Sequence, residues 1–242
     1  MRKYMMILIG FILVLFFVIS FFFFFQSEKE SNIEIDAELS TKIIYSEPSD
    51  GFSKYVGDVN LHSWVDVRNM IQGTEAHDDW DKYLKGVLSA YNGKTGDRYI
   101  IARSFFSFNT SFLNHNDMIL NASLQVFGCG TNESSVCAVA WMDGNDGVDI
   151  DDYSQVGIQN FGRTYNWYVE KYNIINLNEA GLKHINTSSF TYFALREYDH
   201  DFLNNAPAGN QLDEHRNGHY FSENPGRKKD PYLYIEYKEQ TN

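Results

Sequence analysis

The chain has 242 residues, with 20 Lys and Arg against 32 Asp and Glu and a formal net charge of −12. A surface that acidic repels nucleic acid and anionic lipid, which leaves soluble extracellular life or cation binding as the natural settings. The length suits one well-buried domain, the default for a chain of this size.

In chain order, Arg2 and Lys3 precede an uncharged stretch, "YMMILIGFILVLFFVISFFFFF", from Tyr4 to Phe25. Twenty-two residues at about 1.5 Å each span roughly 33 Å, enough to cross a bilayer. No A-x-A-like triplet follows, so the segment reads as an uncleaved signal anchor. The positive-inside rule places residues 1–3 in the cytoplasm as a short tip, and everything after Gln26 outside. Residues 26–40 are charged and short on large apolar side chains, as a stalk would be. The exported domain is then 41–242, and the exported part as a whole, from Gln26 on, carries 18 basic against 32 acidic residues once Arg2 and Lys3 are set aside.

Beyond the stalk the hydrophobic period is two. In "DMILNASLQVF", Met118, Leu120, Ala122, Leu124 and Val126 alternate with Asn121, Ser123 and Gln125, the pattern of a strand with one dry face. In "YIIARSFFSF", Ile100, Ala102, Phe106 and Phe108 fall on one side, with Arg103 and Ser107 on the other, wet side. Further strands are expected at 41–45, 136–142, 171–177, 190–197 and 231–237, with a helical turn or two near "SWVDVRNMI" and "NEAGLKHI". Turns such as "NGKTGD", "NNAPAGN" and "ENPG" separate them. Many short strands with Gly, Asn and Asp turns make an all-β sandwich or barrel.

Cys129 and Cys137 flank a polar segment in "GCGTNESSVCAVAW" and, outside the cell, read as a disulfide pinning a hairpin loop. Such a bridge would contribute about 2.6 kcal/mol and trim local flexibility without creating the fold. Four sequons, at Asn109, Asn121, Asn132 and Asn186, carry little weight in so Asn-rich a chain.

The run "RSFFSFNTSFLNHNDMILNASLQVFG", residues 103–128, resembles the R-x-F-x-x-F-D-T-S-x-L-P-x-x-A-x-I-x-x-A-x-L-x-L-x-G stretch of DNRLRE-type modules. These occur in disaggregatase and in many microbial surface and phage tail proteins. Segments "SDGFSKYVGD", "SWVDVRN", "DDYSQVGIQNFG", "YNIINLNEAGLKHIN", "FTYFALREYDHDFLNNAPAG" and "DPYLYIEY" agree in order, so the resemblance covers about 41–238. Asn109 stands where Asp is usual and Asn114 where Pro is usual. The resemblance implies a jelly-roll β-sandwich, with 103–128 as a strand pair that holds loops.

The acidic run "DGNDGVDIDD", Asp143 to Asp152, lacks the glycine and glutamate spacing of an EF-hand loop and reads as a solvated turn. Asp199 and Asp201 in "YDHD" are candidate ligands for a structural calcium ion, by analogy with extracellular carbohydrate-binding sandwiches. "EHRNGH" sets His215 and His219 four apart in what reads as a solvated loop. No nucleophile elbow, P-loop or dinucleotide fingerprint is present. A glycosidase carboxylate pair is set in space, so 32 acids offer no pointer to one.

Aromatic residues make up 16% of the chain. Flat rings with a polar edge suit sugar faces. Trp141, Phe106, Phe108 and Phe193 are assigned to the core, whereas Trp80 in "HDDWDKY" and Trp167 in "RTYNWYV" lie in polar contexts and are candidate ligand platforms, together with Tyr165 and Tyr198. The sequence therefore points to a membrane-anchored extracellular module that binds glycans or a cell-surface partner, without catalysis and without a resident cofactor beyond that calcium. The alternatives are a structural surface or virion-associated display protein and a polysaccharide-degrading hydrolase.

Overall fold

The computed structural model describes residues 39–94, 96–131, 134–144, 147–209 and 212–239. The expected membrane anchor at 4–25 and nearly all of the stalk lie outside them, and no described helix is long and apolar enough to cross a membrane. Residues Glu38–Asn242 form one unit. The described strands are β1 (Leu39–Tyr45), β2 (Gly51–Asp58), β3 (Glu75–His77), β4 (Lys82–Asn92), β5 (Arg98–Asn109), β6 (Met118–Thr131), β7 (Val136–Ala140), β8 (Gly162–Thr164), β9 (Tyr172–Asn176), β10 (Phe190–Glu197), β11 (Leu212–Tyr220) and β12 (Tyr232–Lys238). All pair antiparallel, in the order β1-β12-β6-β11-β4-β5-β10-β7-β8, with β2 joining β3 to β5 and β9 flanking β6.

The sheet curls because β6 serves two neighbourhoods. Its first part pairs with β12 and β9, and its last residues, Gly128 to Thr131, pair with β11. Leu124 of β6, Ile175 of β9 and Leu233 and Ile235 of β12 thereby share one core with Phe106 and Phe108 of β5 and Phe193 of β10. These side chains are completely buried, and burial at about 25 cal/mol per Å2 of apolar surface is what holds the curl closed.

Two details of the alternation differ from the sequence reading. The β6–β12 register shifts between Glu236 and Tyr237, so that Asn121 and Ile119 oppose them and Leu120 is the extra residue of a bulge. One inserted residue reverses the faces. Ala122, Leu124 and Val126 stay inside, but Met118 and Leu120 turn to solvent and Ile119 packs on the core instead. The second difference is on β5, whose expected wet face is dry. Arg103 and Ser107 are buried, and Phe105 joins Cys137, Val139, Trp141 and Ala194 in a second apolar cluster on the outer side of the sheet.

That outer side is roofed by short elements. The five-residue helix α1 (Trp64–Arg68) starts at a Ser63–Asp66 capping box and inserts Trp64 and Val67 beside Ile101 and Tyr153. A turn at Asp151–Ser154 buries Tyr153, whose hydroxyl donates to the Val67 carbonyl at 2.8 Å. A single π-type turn, Tyr198–Phe202, carries Asp201 inward. The other helix, α2 (Glu179–His184), is capped by the Asn178 side chain, which accepts from Gly181 N–H.

The strands β5 and β6 are not a pair: β5 hydrogen-bonds to β2, β4 and β10, and the polar segment after Asn109 carries the chain across to β6. Nor do β6 and β7 form the hairpin a Cys129–Cys137 bridge requires. Cys129 Sγ faces the Tyr83 carbonyl at 3.7 Å and Cys137 Sγ the Arg196 carbonyl at 3.8 Å, and both thiols are free. "EHRNGH" is not a solvated loop but the centre of β11. There His219 is completely buried against Phe106 and Phe221, in space that exists because Gly86 opposite has no side chain; a Cβ there would lie 2.5 Å from the imidazole.

Candidate binding groove

Three loops converge on one open groove. The β1–β2 turn is closed by the Asp50 N–H on the Glu47 carbonyl, and Glu47 N–H ties it to Ser107 of β5. The β5–β6 segment is shaped by Asn109, whose side-chain oxygen accepts from Ser111 N–H and Oγ–H, and it presents Phe112. The β11–β12 loop is fastened to the first by Ser222, whose N–H and Oγ–H reach the Asp50 carboxylate, the latter at 2.8 Å. Because Asp50 is completely buried, this contact sets the relative position of two loops 172 residues apart.

The main basin has a volume of about 560 Å3, and its walls include Tyr45, Phe112, Asn109, Glu223 and Asp230. A second depression of about 440 Å3 shares Glu47 and Pro48 with it and adds the rings of Phe190 and Tyr192, stacked 6.2 Å apart at 18°. The two basins adjoin at Glu47 and Pro48, which line both.

Three acids at the groove, Asp50, Glu223 and Asp230, are held towards their neutral forms. Burial, reinforced by the neighbouring Glu223 carboxyl, pushes Asp50 well above the usual carboxylate range. Burial likewise raises Glu223 to about 7. Their oxygens flank one hydroxyl, Ser222 Oγ lying 2.8 Å from Asp50 and 3.2 Å from Glu223. Asp230 is 2% exposed, its carboxyl is also raised by burial, and its Oδ1 has no hydrogen-bond partner. A protonated carboxyl both donates and accepts, which is the capability needed to read a polyhydroxylated surface.

The residues expected from the sequence to bind ligand lie elsewhere. Tyr165 and Tyr198 are brought together: Arg163 sits between their rings, 4.3 Å from one centroid and 3.5 Å from the other, and its Nη2 reaches Asp199 at 3.3 Å. Tyr165 remains 69% exposed. Trp80 is half-buried and stacks on His77 at 4.3 Å. Trp167 is not a platform but core, 5% exposed, with its indole N–H donating to the Gly218 carbonyl at 3.1 Å. Its polar sequence neighbours concealed a side chain that turns back under β11.

Asp201 is not placed as a calcium ligand. Both its oxygens accept from Arg103 and Arg196 at 2.7–3.0 Å, which gives it the environment of a guanidinium counter-ion, and Asp199 lies against Arg163. No group of three or more His, Cys, Asp or Glu among the described residues is arranged to hold a metal ion. Asp152, in the acidic run, is buried rather than solvated and accepts from the Trp141 indole at 2.6 Å.

Sequence reasoning missed Asp50, Glu223 and Asp230. Their signal was weak: "SEPSDG" and "SENPGRKKD" are both turns rich in Ser, Glu and Pro, and nothing in either says that they meet. No protein-family model matches the chain, and no curated protein matches it at a significant level.

Proposed function

We propose that the chain is a membrane-anchored extracellular module, a jelly-roll β-sandwich of the DNRLRE kind, that binds a glycan chain along the groove between its β1–β2, β5–β6 and β11–β12 loops. The single observation that carries this reading is the pair of adjoining basins, one with the rings of Tyr45 and Phe112 among carboxyl and amide groups, the other with the stacked rings of Phe190 and Tyr192. Rings pack on the apolar faces of sugars, and carboxyls and amides pair with their hydroxyl groups. Two adjoining open basins suit a chain of several units better than a single small molecule, which would be enclosed. The fold resemblance supports the same reading by placing the work of the domain on its loops.

The test is a glycan array probed with residues 39–242, a boundary that keeps β1 intact. Binding of a defined glycan, weakened at least tenfold by Phe112→Ala together with Tyr192→Ala, is the expected result. An array with no hits would instead favour a display protein without a small ligand.

A hydrolytic reading has one observation in its favour, the Glu223 carboxyl held near neutrality beside the groove. Asp50, its nearest partner, is fully buried and out of reach of a substrate, so the pair does not form the two-sided arrangement that glycosidases use. Turnover of the bound glycan that is lost in Glu223→Gln would decide for hydrolysis.

A further inference from the structure

On the outer side of the sheet, three arginines surround one carboxylate. Arg103 of β5 and Arg196 of β10 each give Asp201 two N–H···O bonds. Arg68, at the end of α1, places its Nε 2.5 Å from the Asp201 carbonyl and 3.8 Å from its carboxylate. The neighbouring acid, Glu197, directs its carboxylate to the backbone N–H groups of Asp199, His200 and Asp201 rather than to an arginine. Positive charge is therefore in excess here, in a chain whose net charge is −12.

The donors make the same point. A guanidinium has five N–H groups. Arg103 uses four, on Asp201, the Tyr153 carbonyl and the Arg68 carbonyl. Arg196 also uses four, on Asp201 and the Gly157 carbonyl. Arg68 uses three, the others being to Asn69 Oδ1 and the Phe202 carbonyl. Among the described residues, one donor is left without a partner on each of the first two and two on Arg68. All three side chains line a single cleft of about 190 Å3, whose walls also include Ser154 and Ile158. Sites for drug-sized molecules run from about 300 to 1,000 Å3, so this one admits only a small group. Arg103 and Arg196 are 2–3% exposed and Arg68 18%, which makes Arg68 the point of entry. Burial and the Arg196 cation depress the Arg68 guanidinium from its ordinary value, as expected where a counter-charge is wanting.

We propose that this cleft binds a compact oxyanion, a phosphate, sulfate or carboxylate group, with Arg68 as its accessible ligand and Arg103 and Arg196 as its buried ones. Planar guanidinium forks match the oxygens of all three groups, and charge-assisted hydrogen bonds in a poorly hydrated cleft are the strong ones. The site is independent of the glycan reading, since it shares no residue with the groove.

The experiment titrates the full-length chain with inorganic phosphate, sulfate or acetate at constant ionic strength and follows Tm and binding heat. Saturable binding heat is expected, with a rise in Tm that grows with the logarithm of anion concentration above its Kd, because a ligand of the folded state at free concentration L stabilises by RT ln(1 + L/Kd). Arg68→Gln keeps the Arg103–Asp201–Arg196 core and should weaken the affinity at least tenfold. Ile158→Glu, at a residue 89% exposed on the cleft wall, brings a tethered carboxylate and should raise Tm without added anion and abolish the response. Response to phosphate and sulfate alone assigns the site to tetrahedral oxyanions, and response to acetate as well assigns it to carboxylates too. Binding heat that does not saturate, or the same response in wild type and both variants, overturns the proposal, as does no response to any of the three.

Discussion

At the residue scale, the four tryptophans separate by what surrounds them and not by their sequence neighbours. Trp141 and Trp167 are both buried, each with its indole N–H satisfied, by Asp152 and by the Gly218 carbonyl. Either Trp→Ala change removes a large core side chain and strands a polar partner, so each should cost about 3–5 kcal/mol of stability. Tyr165→Ala, at an exposed ring, should stay within about 0.5 kcal/mol. Chemical denaturation of the three variants checks the contrast, and a Trp167→Ala protein as stable as wild type would return that ring to the surface. The cysteines make a second residue-scale test. With Sγ atoms aimed at different strands, both thiols should alkylate in denaturant without reductant, and a Cys129–Cys137 linked peptide would contradict the structure. Slow reaction in the native state is expected, since burial pushes Cys129 up to about 11 and Cys137 higher still.

At the scale of elements, what was legible depended on how many faces an element buries. Strand β10 falls at Phe190–Glu197 as read, and β7, β9 and β12 within two residues, because turn residues bracket each of them. Helices α1 and α2 fall in the two segments where a helical turn is expected, and the structure starts each at a side-chain cap, Ser63 and Asn178. Strand β4, "KYLKGVLSAYN", was not read, since its central residues are buried on both faces and no alternation survives. Strand β11, "LDEHRNGHY", was read as a loop because its polar side chains find partners in the sheet: Asn217 with Ser134 and Thr131, and His215 with Asp213. The groove was illegible for a simpler reason, as it is assembled from turns whose meeting depends on the finished sheet. The π-type turn at Tyr198–Phe202 offers the element-scale prediction. Asp201→Asn removes the charge that Arg103 and Arg196 share in the interior, and breaking a buried pair by one partner costs about 3–5 kcal/mol. Asp199→Asn, two residues earlier in an exposed ion pair, should cost no more than about 1 kcal/mol. Equal effects in thermal melts would mean that Asp201 does not anchor the turn.

At the scale of the molecule, buried titratable groups on different elements shape how stability depends on pH. His219 lies on β11 with neither ring nitrogen hydrogen-bonded, and burial pulls it from 6.5 down to about 3. The unfolded chain takes up that proton as pH falls through about 6.5 while the folded chain refuses it, so stability is lost from there down to about 3. Asp201, held below its ordinary 3.8 chiefly by Arg103 and Arg196 against the opposing effect of burial, contributes stability above that value and loses it only at stronger acid. Glu223 acts in the opposite sense. Raised by burial from 4.5 to about 7, it keeps its proton in the folded state after the unfolded chain has lost it, so its stabilising contribution is complete below about 4.5 and gone above about 7. Asp50, raised by burial and by Glu223, extends the same decline upward. Between about 4.5 and 6.5 the slope of His219 opposes those of Glu223 and Asp50 and blunts their decline, so Tm should fall most steeply as pH rises from about 6.5 through 7, and fall again in acid below about 3.8, where His219 and Asp201 act together. The two limbs belong to different residues and can be separated. His219→Phe should reduce the loss of Tm below about 3.8 to the part that Asp201 supplies and steepen the fall between about 4.5 and 6.5, while Glu223→Gln should reduce the fall from about 6.5 to 7 and leave the acid limb unchanged. If both variants keep the wild-type profile, the buried imidazole on β11 and the carboxyl on the groove loop do not control the acid and alkaline limits of the fold.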